Sequence, residues 1–285
     1  MSSVKLIECP RDAMQGIDAF IPTDSKIKYI QQLLSVGFDT VDMGSFVSPK
    51  AIPQLRDTAL VLDKLDLTKT SSKLLTIIAN LRGAKTSVEF DQITYLGFPF
   101  SISEEFQKRN TNASIEESLM RVDDIIDLCI QKKKELVIYI SMAFGNPYRE
   151  EWNADIAAHW VDVIAKRGVG IISLSDTIGS STSQSIQYLL EQLIPAYPNI
   201  EFGAHLHTRP DDWREKVHAA YQSGCRRFDG AIRGFGGCPM ASDDLVGNMP
   251  TENLIQYLME VGQETGIDKA AFQLSSQLSL QTFPA

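Results

Sequence analysis

Arg11 and Asp12 stand side by side just past the apolar run Val4-Lys5-Leu6-Ile7-Glu8, and a second such run far along the chain closes on His205-Leu206-His207. Residues two apart in a strand face the same side, so the two imidazoles point together. Asn248, in Leu245-Val246-Gly247-Asn248, adds an amide oxygen. A carboxylate, two imidazoles and an amide oxygen, with no thiolate, suit a six-coordinate divalent ion such as Mg²⁺ or Mn²⁺ and leave positions for substrate oxygens; Zn²⁺ is the alternative, though it usually takes fewer, tighter ligands. A His-x-His pair at a strand end is by itself more often structural than ligating. Here the acid, the imidazoles and a glycine-rich loop fall at one end of the inferred fold, which favours a site.

Arg11 adjoins the ligand set. A guanidinium stays charged and offers fixed donors, so beside a metal-bound carbonyl it can stabilise an enolate oxygen; the alternative is a salt bridge at the rim. Gln15 either hydrogen-bonds a ligand or caps a turn. Cys238 lies in Gly234-Phe235-Gly236-Gly237-Cys238-Pro239, a loop free to bend sharply, where a thiol can act as a general acid or base. Asp42 and Asp176 end apolar strand-like runs, where a carboxylate needs a partner such as Arg11, a metal water or a substrate hydroxyl. Cys9, Cys129 and Cys225 read as small buried hydrophobes, and His159 and His218 as helical surface or packing residues.

The elements that must position these groups recur regularly. Strand-like runs cover Val4–Glu8, Thr40–Met43, Leu74–Ala79, Gln92–Leu96, Leu136–Ser141, Gly170–Leu174, Glu201–His207 and Arg227–Ile232. Several are continuously apolar, as parallel strands covered on both faces should be. Amphipathic stretches separate them. Ser25–Ser35 stops at Gly37, Ser114 with Glu117 forms a capping box opening a helix through Ile130, Asn153–Lys166 stops at Gly168, and Asp211–Ser223 stops at Gly224. Eight strands with crossovers predict an α/β fold, a (β/α)8 TIM barrel in one domain over 1–285 with a short C-terminal extension from Thr265. An open doubly wound sheet would carry a glycine-rich phosphate turn after the first strand, and Cys9-Pro10-Arg11-Asp12-Ala13 has no glycine.

The 285 residues are 44% hydrophobic with a formal net charge of −9. That balance argues against nucleic acid or anionic membranes as partners, while local arginines still permit a small anionic substrate. The N-terminus shows no secretory leader and no apolar run is long enough to span a membrane, so a reduced, cytoplasmic setting is the expectation. Barrels of this type often pair, and a homodimer is the expected assembly.

In order along the chain, Pro10-Arg11-Asp12, Ser45-Phe46-Val47-Ser48-Pro49-Lys50, Ser114-Ile115-Glu116-Glu117-Ser118, Asp176-Thr177-Ile178-Gly179, His205-x-His207 and Gly236-Gly237-Cys238-Pro239 resemble the 3-hydroxy-3-methylglutaryl-CoA lyase family, from about Val4 to Gly262. The resemblance implies a TIM barrel with a divalent metal on Asp12, His205, His207 and Asn248. It implies that Arg11 stabilises the enolate of acetyl-CoA, that Cys238 transfers a proton, and that Asp42 and Asp176 occupy positions of active-site acids. The implied reaction is retro-Claisen cleavage of an acyl-CoA thioester into acetoacetate and acetyl-CoA. Four positions depart from the pattern: Cys9 and Ala13 replace glycines, Asp42 replaces a glutamate, and Thr208 replaces an aspartate. Shortening at position 42 shifts a carboxylate by roughly an ångström, enough to matter for rate. The alternatives are a related lyase or aldolase acting on another 3-hydroxyacyl-CoA or hydroxy acid, and a non-catalytic acyl-CoA-binding barrel.

Overall fold

Short apolar strands separated by amphipathic helices can bury both faces of a parallel sheet only if the sheet is wrapped on all sides. The computed structural model, which describes residues 3–237 and 246–283, shows that solution. Its strands are β1 (Lys5–Glu8), β2 (Thr40–Ser45), β3 (Lys73–Ile77), β4 (Ile93–Ser101), β5 (Glu135–Ser141), β6 (Ile171–Ser175), β7 (Glu201–His205) and β8 (Arg227–Gly230). Each pairs in parallel with the next, and β8 returns to β1 from Lys5↔Arg227 to Glu8↔Gly230. The fold is a (β/α)8 TIM barrel, and this closure excludes the open doubly wound sheet.

Helix boundaries follow local chemistry. Ser114 Oγ accepts the Glu117 backbone N–H (3.0 Å) while the Glu117 carboxylate accepts that of Ser114 (2.8 Å), so helix Ile115–Lys132 starts on the expected capping box. Helix Thr23–Leu33 starts two residues before the expected Ser25 because Pro22 leads directly into it. Gly37 follows at φ +96°, and a Cβ there would stand 2.8 Å from the Gly266 carbonyl oxygen. That close approach docks the C-terminal extension. Its helix Lys269–Thr282 lies against Thr23–Leu33, with Tyr29 and Phe283 edge to face at 5.2 Å.

Several strand ends differ from expectation: β2 runs on to Ser45, β3 stops at Ile77, β8 stops at Gly230, and β4 and β7 differ for reasons that can be traced. β4 continues past Leu96 to Ser101 although Pro99 lies inside it. The Gly97 carbonyl accepts from the Ile78 N–H, so Pro99, two residues on, faces the same side, where β3 has already ended. No ladder partner there requires the missing N–H. β7 stops at His205, and the chain then joins an incoming segment through Met249 N–H to Leu206 O (2.9 Å) and Thr208 N–H to Gly247 O (3.0 Å).

The barrel interior is asymmetric. Leu75, Ile77, Tyr95, Val137, Tyr139 and Ile171 fill the β3–β6 side. Opposite, Arg227 Nη1 donates to Glu201 Oε1 (2.9 Å), and Lys5 pairs with the same carboxylate. Gly203 leaves room for this guanidinium, since a Cβ there would meet Arg227 Cδ at 3.1 Å.

At the end of β1 the buried Glu8 accepts from the Ile232 N–H (2.8 Å) and the Thr251 hydroxyl (2.6 Å), and burial pushes its carboxyl up to about 8 despite those bonds. A folded pKa above the unfolded value stabilises the fold below the ordinary carboxylate range, and this contribution is lost as pH rises through about 8. Denaturant melts of the wild type are therefore expected to lose about 1 kcal/mol between pH 7 and 9 from this group. Glu8→Gln, which mimics the protonated acid, should match the wild type near pH 4, where both states are protonated, become progressively the more stable protein as pH rises toward 8, and lack that component; an identical decline in both proteins would refute the assignment.

Candidate active site

β1 passes through Cys9 directly into helix Pro10–Gln15, where Pro10 fixes the backbone angle at the first helical position and sacrifices no needed N–H. This short helix carries Arg11, Asp12 and Gln15 at the C-terminal mouth of the barrel, the end where such folds place their chemistry. A cavity opens there. Arg11, Asp12, Gln15, Ser141, Ser175, Thr177, His205 and His207 form its polar wall, and Ile77, Ala79, Pro99, Phe106 and Tyr139 are among its other lining residues.

Arg11 is buried, and four of its five N–H donors have partners among the described residues. Its Nε (3.0 Å) and Nη2 (2.6 Å) donate to Asp42 Oδ2, while Nη1 donates to Asp12 Oδ1 (2.6 Å) and Gln15 Oε1 (2.9 Å). Burial opposes its charge, but Asp42 and Asp12 outweigh burial and hold the guanidinium firmly protonated. Burial also raises the Asp42 carboxyl to about 6, an effect Arg11 only partly offsets. Asp12 ends at about 2, because Arg11 and the two imidazoles overcome the cost of its burial.

The imidazoles meet that carboxylate from β7. His205 Nδ1 faces Asp229 Oδ2 at 3.1 Å, and an ionised carboxylate only accepts, so Nδ1 carries the proton and Nε2 is left 3.9 Å from Asp12 Oδ2. Burial disfavours the imidazolium of His205, yet Asp229 raises its pKa overall. His207 is pushed down to about 3 by burial and then by His205, and its Nδ1 is buried with no hydrogen-bond partner among the described residues. Ligand atoms of Asp12, His205 and His207 lie within 4.8 Å of one another. A neutral imidazole with an orphaned nitrogen, a second imidazole oriented by a carboxylate, and an ionised aspartate form a donor set that fits a divalent cation.

Other expected site residues lie elsewhere or point otherwise. Asn248 reaches Asp12, but its Nδ2 donates to Asp12 Oδ2 (2.7 Å) and to the Phe235 carbonyl (2.9 Å). Two acceptors fix the amide with its nitrogen toward Asp12, so in this arrangement Asn248 presents no oxygen to the ligand cluster. Asp42 stands behind Arg11 and does not line the cavity. Asp176 does not line it either. Its carboxylate is taken up by the Ser181 N–H (3.0 Å), the Ser181 hydroxyl (2.5 Å) and the Lys216 ammonium (3.1 Å). Cys238 lies outside the described residues. Gly236, two positions before it, is packed so that a Cβ would stand 2.7 Å from the Asp12 carbonyl oxygen, which brings this end of the glycine loop onto the Arg11–Asp12 helix.

Asp229 and Lys216 were not foreseen. Arg227-Phe228-Asp229 places two charges two residues apart on a buried strand, a signal that both face the interior. Lys216 sits in an ordinary amphipathic helix, and nothing in its sequence context marks it. Cys9, expected as packing, is buried with Sγ within 4.8 Å of ligand atoms of His205 and Asp229, and burial together with Asp229 and Asp42 pushes its thiol well up. It therefore remains a thiol.

Comparison with known proteins agrees with this geometry. The HMGL-like family model matches residues 4–278. The cytoplasmic 3-hydroxy-3-methylglutaryl-CoA lyase of Rattus norvegicus is 33% identical over 270 residues, covering 93% of this chain and 77% of the relative. An HMG-CoA lyase from Acinetobacter baumannii, solved with coenzyme A and 3-methylmalate, superposes with a TM-score of 0.89 at 32% identity, covering 97% of this chain and 90% of that one. The HMG-CoA lyase of Brucella melitensis superposes with a TM-score of 0.91 at 26% identity over 99% of both chains. A barrel whose mouth gathers Arg11, Asp12, His205 and His207, matched by that model over nearly its whole length, belongs to the HMGL-like family.

Proposed function

We propose that this chain is a divalent-metal-dependent carbon–carbon lyase that cleaves 3-hydroxy-3-methylglutaryl-CoA into acetoacetate and acetyl-CoA. The observation that carries this reading is the convergence of Arg11, Asp12, His205 and His207 on one cavity. Asp12, His205 and His207 would hold Mg²⁺ or Mn²⁺, and Asn248 would join them only with its amide turned over. The bound ion supplies Lewis acidity toward the substrate hydroxyl and a neighbouring carbonyl.

The remaining roles fall to this chain's own groups. Breaking the C–C bond leaves negative charge on the thioester oxygen of the departing acetyl unit. Arg11 supplies a preorganised positive charge for that oxygen, and because Asp42, Asp12 and Gln15 already hold its donors, it needs little reorganisation. Asp42 acts by aiming the guanidinium. Although one methylene shorter than the family's glutamate, it still reaches Nη2 at 2.6 Å, which favours the named substrate over a remodelled pocket. Tyr139, Phe106 and Ile77 exclude water from the acyl group. Cys238, two positions after Gly236 in the sequence, is the proton donor to the enolate carbon, and the proton lost by the substrate hydroxyl restores its thiol. The coenzyme A bound to the A. baumannii relative supports an acyl-CoA as the small-molecule partner.

Two measurements test the reading. Purified protein with Mg²⁺ or Mn²⁺ should release acetyl-CoA from 3-hydroxy-3-methylglutaryl-CoA and stop on chelation. Arg11→Met should lower kcat by roughly 10²–10³, and Cys238→Ser should also lower it sharply without loss of bound metal. Turnover of a different 3-hydroxyacyl-CoA alone would replace the substrate assignment, and turnover indifferent to chelator would overturn the metal. Separately, Asp229→Asn should weaken Mn²⁺ binding roughly 10- to 100-fold in titration calorimetry; an unchanged affinity would remove Asp229 from the support of His205.

A further inference from the structure

Behind the wall of the cavity lies a buried cation that the reaction scheme above does not use. Lys216 belongs to helix Trp213–Gln222, on the outside of the barrel, yet its side chain is only 1% exposed. Its ammonium has three N–H donors. They are directed at Asp176 Oδ2 (3.1 Å), the Gly179 carbonyl (3.1 Å) and the His207 carbonyl (3.0 Å), with Asp212 Oδ2 also at 3.2 Å. Asp176 in turn accepts both the N–H and the hydroxyl of Ser181. One ammonium thus ties the backbone of an imidazole ligand to the loop after β6, whose Thr177 lines the same cavity as Ser175 at the end of that strand. Thr208, next to His207, contributes no such tie, because its buried hydroxyl has no partner among the described residues.

An ammonium withdrawn from water is expensive unless its charge and all its donors are matched. Here they are matched, and one of the matched atoms is the main-chain oxygen of His207, whose ring Nδ1 has no hydrogen-bond partner among the described residues. We propose that Lys216 is a positioning residue: with Asp176 as its counter-charge, it fixes His207 in the orientation needed for metal binding and registers the β6 and β7 loops against each other. The inference rests on the metal-site reading given above. It gives Asp176 an indirect part in the site, through the lysine and not through contact with substrate.

The test is Mn²⁺ titration of metal-free protein, read beside the melting temperature. Lys216→Met should weaken Mn²⁺ affinity roughly 10- to 100-fold, as removal of a group that orients a ligand does. It should also lower the melting temperature, since it leaves Asp176 buried without its cation. The double variant Asp176→Asn with Lys216→Gln separates the two effects. It leaves no unpaired buried charge, so its melting temperature should recover, but the shorter glutamine does not reach the His207 carbonyl and Mn²⁺ binding should remain weak. A folded single or double variant that binds Mn²⁺ as tightly as the wild type overturns the positioning role, while wild-type protein that binds no Mn²⁺ overturns the metal site itself. If the single variant does not fold, the double variant decides the matter by the same criterion.

Discussion

A guanidinium buried at the mouth of a closed sheet must be matched on every edge, and Arg11 is matched by Asp42 on one edge and by Asp12 and Gln15 on another. Each partner lies on a different structural unit or a different turn: Asp42 in β2, Asp12 and Gln15 along the helix that follows β1. The geometry of Asp12, and with it the placing of any shared cation, is set by this pairing. Removing a partner from such a pair leaves an uncompensated buried charge, which is far more damaging than losing a surface salt bridge. The same constraint orders the opposite side, where Asp229 holds His205 and Lys216 holds the backbone of His207.

The barrel supports this concentration of charge by dividing its interior. The β3–β6 side carries the apolar cluster of Leu75, Ile77, Tyr95, Val137, Tyr139 and Ile171, while β7, β8, β1 and β2 contribute Glu201, Arg227, Asp229, Lys5 and Asp42. An acyl group entering the cavity meets an apolar wall on one side and fixed charges on the other. That is the arrangement expected where charge develops on one atom of an otherwise nonpolar substrate, because fixed dipoles and charges act more strongly where water is excluded.

The barrel was legible in the sequence because burial on both faces leaves each strand as an apolar run and each covering helix as a periodic one. Ser114 with Glu117 marked a helix start through local hydrogen bonding and stands where expected, whereas Gly37 lies four residues past the end of its helix at Leu33 and serves the close approach of Gly266 instead. The extension of β4 through Pro99 was not legible, since it depends on where the neighbouring strand stops. Arg11, Asp12, His205 and His207 stood out because adjacency and a two-residue spacing fix relative direction. Asn248 and Asp176 carried no such information. Their orientations are decided by the Phe235 carbonyl and by Lys216, partners far away in the chain. Asp229 left a partial trace in the alternation of charges along β8, whereas Lys216 left none, because a lysine on a helix reads as solvated until the packing shows what it covers.

The central claim is that Asp12, His205 and His207 share one divalent cation. Anomalous diffraction from crystals grown with Mn²⁺ tests it directly. The account predicts one strong peak bounded by the Asp12 carboxylate and the two imidazoles, with Asp229 still on His205 Nδ1. An ordered cavity with no peak there, or a peak held by other residues, would contradict it.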